Sequence, residues 1–208
     1  NHEFFKFISK KYASWVSPKS DDGPIMSHTL MQFKVLPHLE KSTPLFFILI
    51  DNLRWDQWKA IQPILAESFR VQEEDSFYSI LPTATQYARN AIFAGMLPAE
   101  IEKQFPQLWK NDEEDGGKNL HEEDFLKAQI KRLGLSHLNY EYHKITNLKT
   151  GKKLVENFNS LKNNDLTVVV YNFVDMLSHS KTEREVVREL ASNDKAYRSL
   201  ALSWFKNS

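Results

Sequence analysis

The chain has 208 residues, 41% of them hydrophobic, with 27 basic and 27 acidic side chains and no cysteine. That length suits one large domain or a domain with an appendage, and the apolar content can bury a core, which excludes a disordered chain. A formal net charge of zero gives no bulk attraction to nucleic acid or an anionic membrane, and the lack of cysteine excludes disulfides and thiolate-ligated zinc.

No apolar run reaches the length of a transmembrane helix, and Asn1 to Phe5 lacks the basic and apolar regions of a signal peptide. A cytoplasmic protein is expected. Asn1 is not an initiator Met and Phe205 to Ser208 has the look of a cut end, so a fragment of a longer protein is expected.

In chain order, residues 3–16 place Phe4, Phe5, Phe7, Ile8, Tyr12, Trp15 and Val16 at helical spacing. Ser17 to Pro24 is turn chemistry, and Met26 to Leu39 repeats apolar residues at helical spacing until Pro37. Residues 1–42 read as a helical connector packed beside the main domain; membership of the domain itself is the alternative. The main domain is expected over 43–208.

Leu45 to Ile50 is continuously apolar, as in a central parallel strand covered on both faces, and it ends at Asp51. Trp55, Trp58, Ile61, Ile64 and Leu65 form a helical stripe whose aromatic members read as core. Phe69 to Leu81 is expected to hold a second strand running into a turn at Pro82, and a helix opens at Thr85. Lys110 to Asn119 reads as a mobile surface loop, and its acidic run Asp112 to Asp115 lacks calcium-loop spacing and reads as a solvated face. An amphipathic helix over His121 to Leu133 stops at Gly134, Asn139 to Ile145 alternates as a strand, and Thr150-Gly151 turns the chain into another helix. Leu166 to Tyr171 is a buried strand, followed by Asp175 and His179 and then by one or two charged helices over 181–206. Strands separated by helices predict an α/β fold with a mostly parallel sheet sandwiched by helices.

Functional groups of open α/β sheets gather at the carboxyl ends of strands, which is where Asp51 and Asp175 fall. Thr85, opening a helix, serves either as a cap or as a nucleophile beside a helix end that favours negative charge. Aspartate, histidine and a threonine hydroxyl suit zinc, and zinc makes an alkoxide accessible near neutral pH. A metal pair would serve phosphoryl transfer, but Asp51, Thr85, Asp175 and His179 are too few donors for two ions. Each also has a plainer reading: Asp51 as a cap of the following helix, Asp175 as a turn cap, His179 as a loop histidine.

Three blocks carry a more specific signal: Phe47 to Asp56 (FILIDNLRWD), Pro82 to Gly95 (PTATQYARNAIFAG) and Tyr171 to His179 (YNFVDMLSH). They resemble the PglZ-domain branch of the alkaline phosphatase superfamily, with the nearest likeness to the effector domain of PorX-type response regulators of Bacteroidetes, over most of residues 43–208. The resemblance implies a zinc-dependent phosphoesterase, a phosphodiesterase in particular, with an alkaline-phosphatase-like core and two zinc ions per complete domain. It implies that Thr85 is the nucleophile and a metal ligand, that Asp51 binds the zinc that activates it, and that Asp175 and His179 bind the other zinc. Thr83 is then a bystander. Arg89, one helical turn after Thr85, is expected to contact substrate phosphate.

The family completes its metal sites with a later Asp-His pair and a further His, which this sequence ends before, so the core is expected to be truncated at its carboxyl end. The implied partners are a phosphodiester or nucleotide-like substrate, an upstream receiver domain and a second copy in a homodimer, with no membrane. The implied role is output of a two-component system, by analogy control of type IX secretion. The alternative is a non-catalytic regulatory or interaction module that keeps the phosphatase fold.

Overall fold

The alternation of apolar strands with amphipathic helices carries through to three dimensions. The computed structural model describes residues 2–17, 23–40, 43–111, 117–172 and 193–207. In chain order the described elements are helix α1 (His2–Trp15), a π-helical turn (Met31–Val35) running into a 3-10 turn (Leu36–His38), strand β1 (Leu45–Ile50) and helices α2 (Trp55–Leu65), α3 (Thr85–Ala94), α4 (Pro98–Gln104) and α5 (Glu122–Arg132). Strand β2 (Tyr140–Ile145), helices α6 (Leu148–Glu156) and α7 (Phe158–Leu161), strand β3 (Leu166–Tyr171) and a carboxyl-terminal helix, here α8 (Asp194–Asn207), follow. This is an α/β fold with a small parallel sheet and an amino-terminal helix. Among the described residues no helix is long and apolar enough to cross a membrane.

The chain divides into two compact units, one of Asn1–His38 with Asp75–Ser136 and one of Leu39–Glu74 with His137–Ser208. In the first unit, Met26, Ile80 and Ala91 form a buried cluster against which Tyr12, Trp15, Val16, Tyr87 and Leu97 pack. The Tyr12 hydroxyl accepts from Leu81 N at 2.6 Å, and Ser27 Oγ accepts from Ile80 N at 3.2 Å, so the segment leading into α3 is anchored on both sides. The apolar face of α1 is only partly used: Phe4 and Phe5 are 60% and 67% exposed. The expected strand over Phe69 to Leu81 is reduced to one parallel bridge, Met26 to Tyr78, because the segment pairs with the chain before the π-helical turn and not with the sheet.

Helix α3 ends at Gly95, which has a left-handed φ of 60° and donates its N–H to Ala91 O at 2.9 Å. Arg132 Nη2 donates to the Ala94 and Gly95 carbonyls at 2.8 and 3.0 Å, satisfying groups that a helix end leaves open. A Cβ at Gly95 would come within 2.7 Å of Gln129 Cδ and 2.8 Å of Arg132 Nη2.

The second unit holds the sheet, in the order β1-β3-β2 with both pairings parallel. Asp165 closes its amino end, accepting from Leu45 N through its carbonyl at 3.0 Å and from Asn139 N through its carboxylate at 2.8 Å. The expectation that β1 is the central, doubly covered strand is corrected here. β3 takes that place, with Leu166 to Val170 all buried, whereas β1 borders the described sheet and leaves Ile48 55% exposed. Continuous apolarity marks both strands, so it does not separate a centre from a border.

The tryptophans of α2 also depart from expectation. Gln57 and Ile61 are its buried residues, while Trp55 is 60% exposed beneath Lys59 Nζ, and the Trp58 indole donates to Glu74 at 3.1 Å. At the start of α2, Asp56 accepts from Arg54 at 2.8 and 3.0 Å and from Arg198 of α8 at 3.0 Å, and Arg54 also donates to Asp194 at 3.1 Å. Hydrogen bonds from Arg54, then Arg198, pull the Asp56 carboxyl down to about 2.

Two predictions follow from these contacts. Gly95→Ala forces a side chain into a left-handed conformation against Gln129 and Arg132; it should lower unfolding free energy by about 1–3 kcal/mol, measured by urea titration. Because the folded pKa of Asp56 is depressed, its stabilisation is complete above the ordinary carboxyl pKa and disappears as pH falls through about 2. The melting-temperature gap between wild type and Asp56→Asn should therefore be present at pH 6 and close between about pH 4 and 2.

Candidate active site

Parallel strands bring their carboxyl ends to one edge of a sheet. At that edge Ile50, Tyr171 and Ile145 stand in register. Asp51 is the next residue of its strand, and its N–H adds one more rung by donating to Tyr171 O at 2.9 Å. Asn172 N donates to Ile145 O at 3.0 Å on the other side. Burial pushes the Tyr171 hydroxyl above its ordinary pKa.

After Asp51 the chain turns through Asn52, at a φ of 59°, and α2 begins after Arg54 as its N-cap residue. Asparagine tolerates this region better than most side chains. Arg54 N donates to Gln57 Oε1 at 2.9 Å, so a first-turn glutamine satisfies the cap residue's own N–H. Asp51 lies upstream of that cap, so the plain reading in which it caps α2 does not describe it. Its place is the half-buried carboxyl edge of the sheet. Asp175 and His179 lie outside the described residues.

Thr85 belongs to the first unit. Helix α3 takes Ala84 as its N-cap, with extended backbone at φ −60° and ψ 141°, and Thr85 is the first helical residue. The capping reading of Thr85 is thereby removed: the cap position belongs to a residue with no hydrogen-bonding side chain. Tyr87 N and Ala88 N reach back to Ala84 O at 3.0 Å each, so the N–H groups of Thr85 and Gln86 precede the helix's own ladder. The Thr85 side chain is half-buried, and Thr83 is exposed.

The start of α3 is gripped by the segment that follows α4. Gln86 Nε2 donates to Lys110 O at 2.7 Å, and Asn90 Nδ2 donates to Lys118 O at 3.0 Å. Asn119 Nδ2 donates to Asn90 Oδ1 at 3.0 Å and to Thr85 O at 3.3 Å. Arg89 forms a two-point ion pair with Glu122, Nε to Oε1 and Nη2 to Oε2, with side chains only 4% and 1% exposed. The geometry thus gives Arg89, expected to contact phosphate, an internal partner in a buried setting. The surface loop expected over Lys110 to Asn119 is held to α3 at both described ends, and Asp112 to Asp115 lies outside the described residues. Glu122 and Asn119 were not singled out in the sequence. The available signal was the polar run Gln86, Arg89 and Asn90 on one face of an otherwise apolar helix, which demands buried partners.

The expected metal ligands are distributed: Asp51 in the second unit, Thr85 in the first, Asp175 and His179 beyond the described residues. Their oxygen and nitrogen donors fit zinc chemically. Among the described residues no group of three or more histidine, cysteine, aspartate or glutamate side chains is assembled that could hold a metal ion.

The family model of the BREX system PglZ alkaline phosphatase-like domain matches residues 30–203. The chain belongs to this family. No curated protein matches it significantly. The PglZ match spans β1, α3 and β3, and so includes Asp51 and Thr85 as well as the polar contacts around α3.

In this PglZ domain the Arg89–Glu122 pair is nearly sealed from water, so removing one partner strips a buried charge of its two-point ion pair. Glu122→Ala should cost about 3–5 kcal/mol in denaturant unfolding. The double change Arg89→Met with Glu122→Leu should recover much of that loss, because a charge pair exchanged for apolar groups is cheaper than a broken pair.

Proposed function

We propose that the chain is a phosphoester-cleaving domain, acting on phosphodiesters, with the Thr85 hydroxyl as nucleophile. What supports this reading is PglZ family membership taken together with the position of Thr85 as first residue of α3, ahead of the helix's own hydrogen-bond ladder. Its Oγ attacks phosphorus, the Thr85 Oγ–P bond forms as the bond to the opposite ester oxygen breaks, and the hydroxyl proton is lost while the leaving oxygen takes one up as an alcohol; water then cleaves the Thr85 Oγ–P bond, releasing a phosphomonoester and restoring the hydroxyl. The N–H groups of Thr85 and Gln86, with the dipole of a ten-residue helix behind them, favour the negative non-bridging oxygens.

Asp51, Asp175 and His179 would hold zinc together with Thr85, and zinc would supply Lewis-acid activation of the hydroxyl and neutralise charge on the phosphoryl oxygens. In this reading Arg89 acts through Glu122 to fix α3; direct phosphate contact by Arg89 would require its guanidinium to leave that pair.

By the likeness to PorX-type regulators, the proposal extends to a cytoplasmic output domain downstream of a receiver domain, working as a homodimer and serving control of type IX secretion. The test is turnover of an aryl phosphodiester by the intact protein. Thr85→Ala should lower kcat by at least about a thousandfold while leaving zinc content and melting temperature near wild type. Thr85→Ser should retain measurable turnover. Undiminished turnover by Thr85→Ala would overturn the assignment and favour a non-catalytic interaction module.

A further inference from the structure

A nucleophile at the first position of a helix has one free side-chain torsion once its backbone is fixed. The direction of its Cα–Cβ bond is set by the two peptide planes that flank it. On the carboxyl side that plane carries the Thr85 carbonyl, and Asn119 Nδ2 donates to this oxygen at 3.3 Å. The same amide nitrogen donates to Asn90 Oδ1 at 3.0 Å. An amide NH2 has two hydrogens, so both bonds can be made at once. Asn90 is itself oriented, because its Nδ2 donates to Lys118 O at 3.0 Å, one residue before Asn119. The result is a closed loop of contacts: the main chain at 118 orients Asn90, Asn90 orients Asn119, and Asn119 holds the peptide plane after Thr85.

On its α3 side this loop is enclosed. Asn90 is 1% exposed and Gln86 7%, and Asn119 is half-buried. Next to Asn90 on α3, Arg89 pairs with Glu122 and fastens the beginning of α5, only three residues after Asn119. The anchor for Asn119 is therefore short and rigid. Buried, mutually satisfied polar contacts of this kind define one geometry, because each unmade bond would strand a polar group away from water.

We propose that Asn119 is a positioning residue for Thr85: it fixes the peptide plane that aims the nucleophile's Cβ. The proposal rests on the reading of Thr85 as nucleophile. Asn119 touches neither substrate nor the reacting atoms, so its loss should act on kcat. A displacement of about 1 Å in a reacting group costs about a hundredfold in rate, and releasing one of several restraints should cost about tenfold or more.

The experiment compares wild type, Asn119→Ala and Asn119→Asp in the intact protein. The aspartate is isosteric but cannot donate to the Thr85 carbonyl when ionised. Four quantities are read: kcat and KM for an aryl phosphodiester, the melting temperature, and the Thr85 carbonyl carbon resonance with selective 13C labelling. The expected result is a kcat at least about tenfold lower in both variants, KM within about twofold, a melting temperature lowered but still well above the assay temperature, and a shifted Thr85 carbonyl resonance. An unchanged kcat in a folded variant overturns the proposal, as does an unmoved Thr85 resonance. Activity loss that only parallels loss of folding in both variants also overturns it, since Asn119 would then be a purely structural residue. Thr85→Ala, run alongside, separates the two readings. If it spares turnover, the nucleophile assignment fails first. If it abolishes turnover while both Asn119 variants behave as wild type, the positioning role fails and the phosphoesterase reading stands.

Discussion

The buried pairing of Arg89 with Glu122 is the contact on which the first unit depends. A guanidinium and a carboxylate removed from water each carry a desolvation cost of several kcal/mol, offset only by close, two-point geometry. Their side chains are 4% and 1% exposed, so solvent offers neither a substitute partner. That requirement fixes the start of α5 against the middle of α3. The contacts of Gln86, Asn90 and Asn119 then follow on the same face, and they extend the constraint to the first turn of the helix, where Thr85 stands. Helix α3 is set at its other end by Gly95 and by Arg132, which closes the last carbonyls. A ten-residue helix held at both ends has little freedom to turn about its axis.

The second unit solves a different problem. Three parallel strands share one register, so their carboxyl ends reach a common edge and Asp51 is delivered there by the ladder itself, through its N–H on Tyr171. The position of Asp51 is thus a main-chain consequence, largely independent of what surrounds its side chain. The surface charges of this unit work at a lower energy. Arg54, Asp56, Asp194 and Arg198 link α2 to α8 through exposed groups, whose attraction solvent screens.

Much of the fold was legible beforehand. Leu45 to Ile50, Asn139 to Ile145 and Leu166 to Tyr171 were readable as strands from apolar runs or alternation, and Gly134 marked a helix stop at a φ of 74°. Errors came where local pattern serves two structures equally. An apolar run does not distinguish the middle strand from a bordering one. An aromatic residue at helical spacing does not reveal whether it meets a core or, as Trp55 does, a lysine at the surface. The strand expected before Pro82 failed because its partner is the distant segment around Met26.

The sequence by itself determined the α/β class, the helix opening at Thr85 and the location of Asp51 at a strand end, since these follow from periodicity, turn chemistry and chain order. It also carried the three blocks that point to the PglZ family. Tertiary structure decided that Ala84 and not Thr85 occupies the cap, that β3 and not β1 is the buried strand, and that Arg89 is paired inside the protein. The physical reason is range. Helix and strand formation are governed by neighbours a few residues apart, whereas burial and ion pairing join residues such as 89 and 122, whose meeting no local pattern encodes.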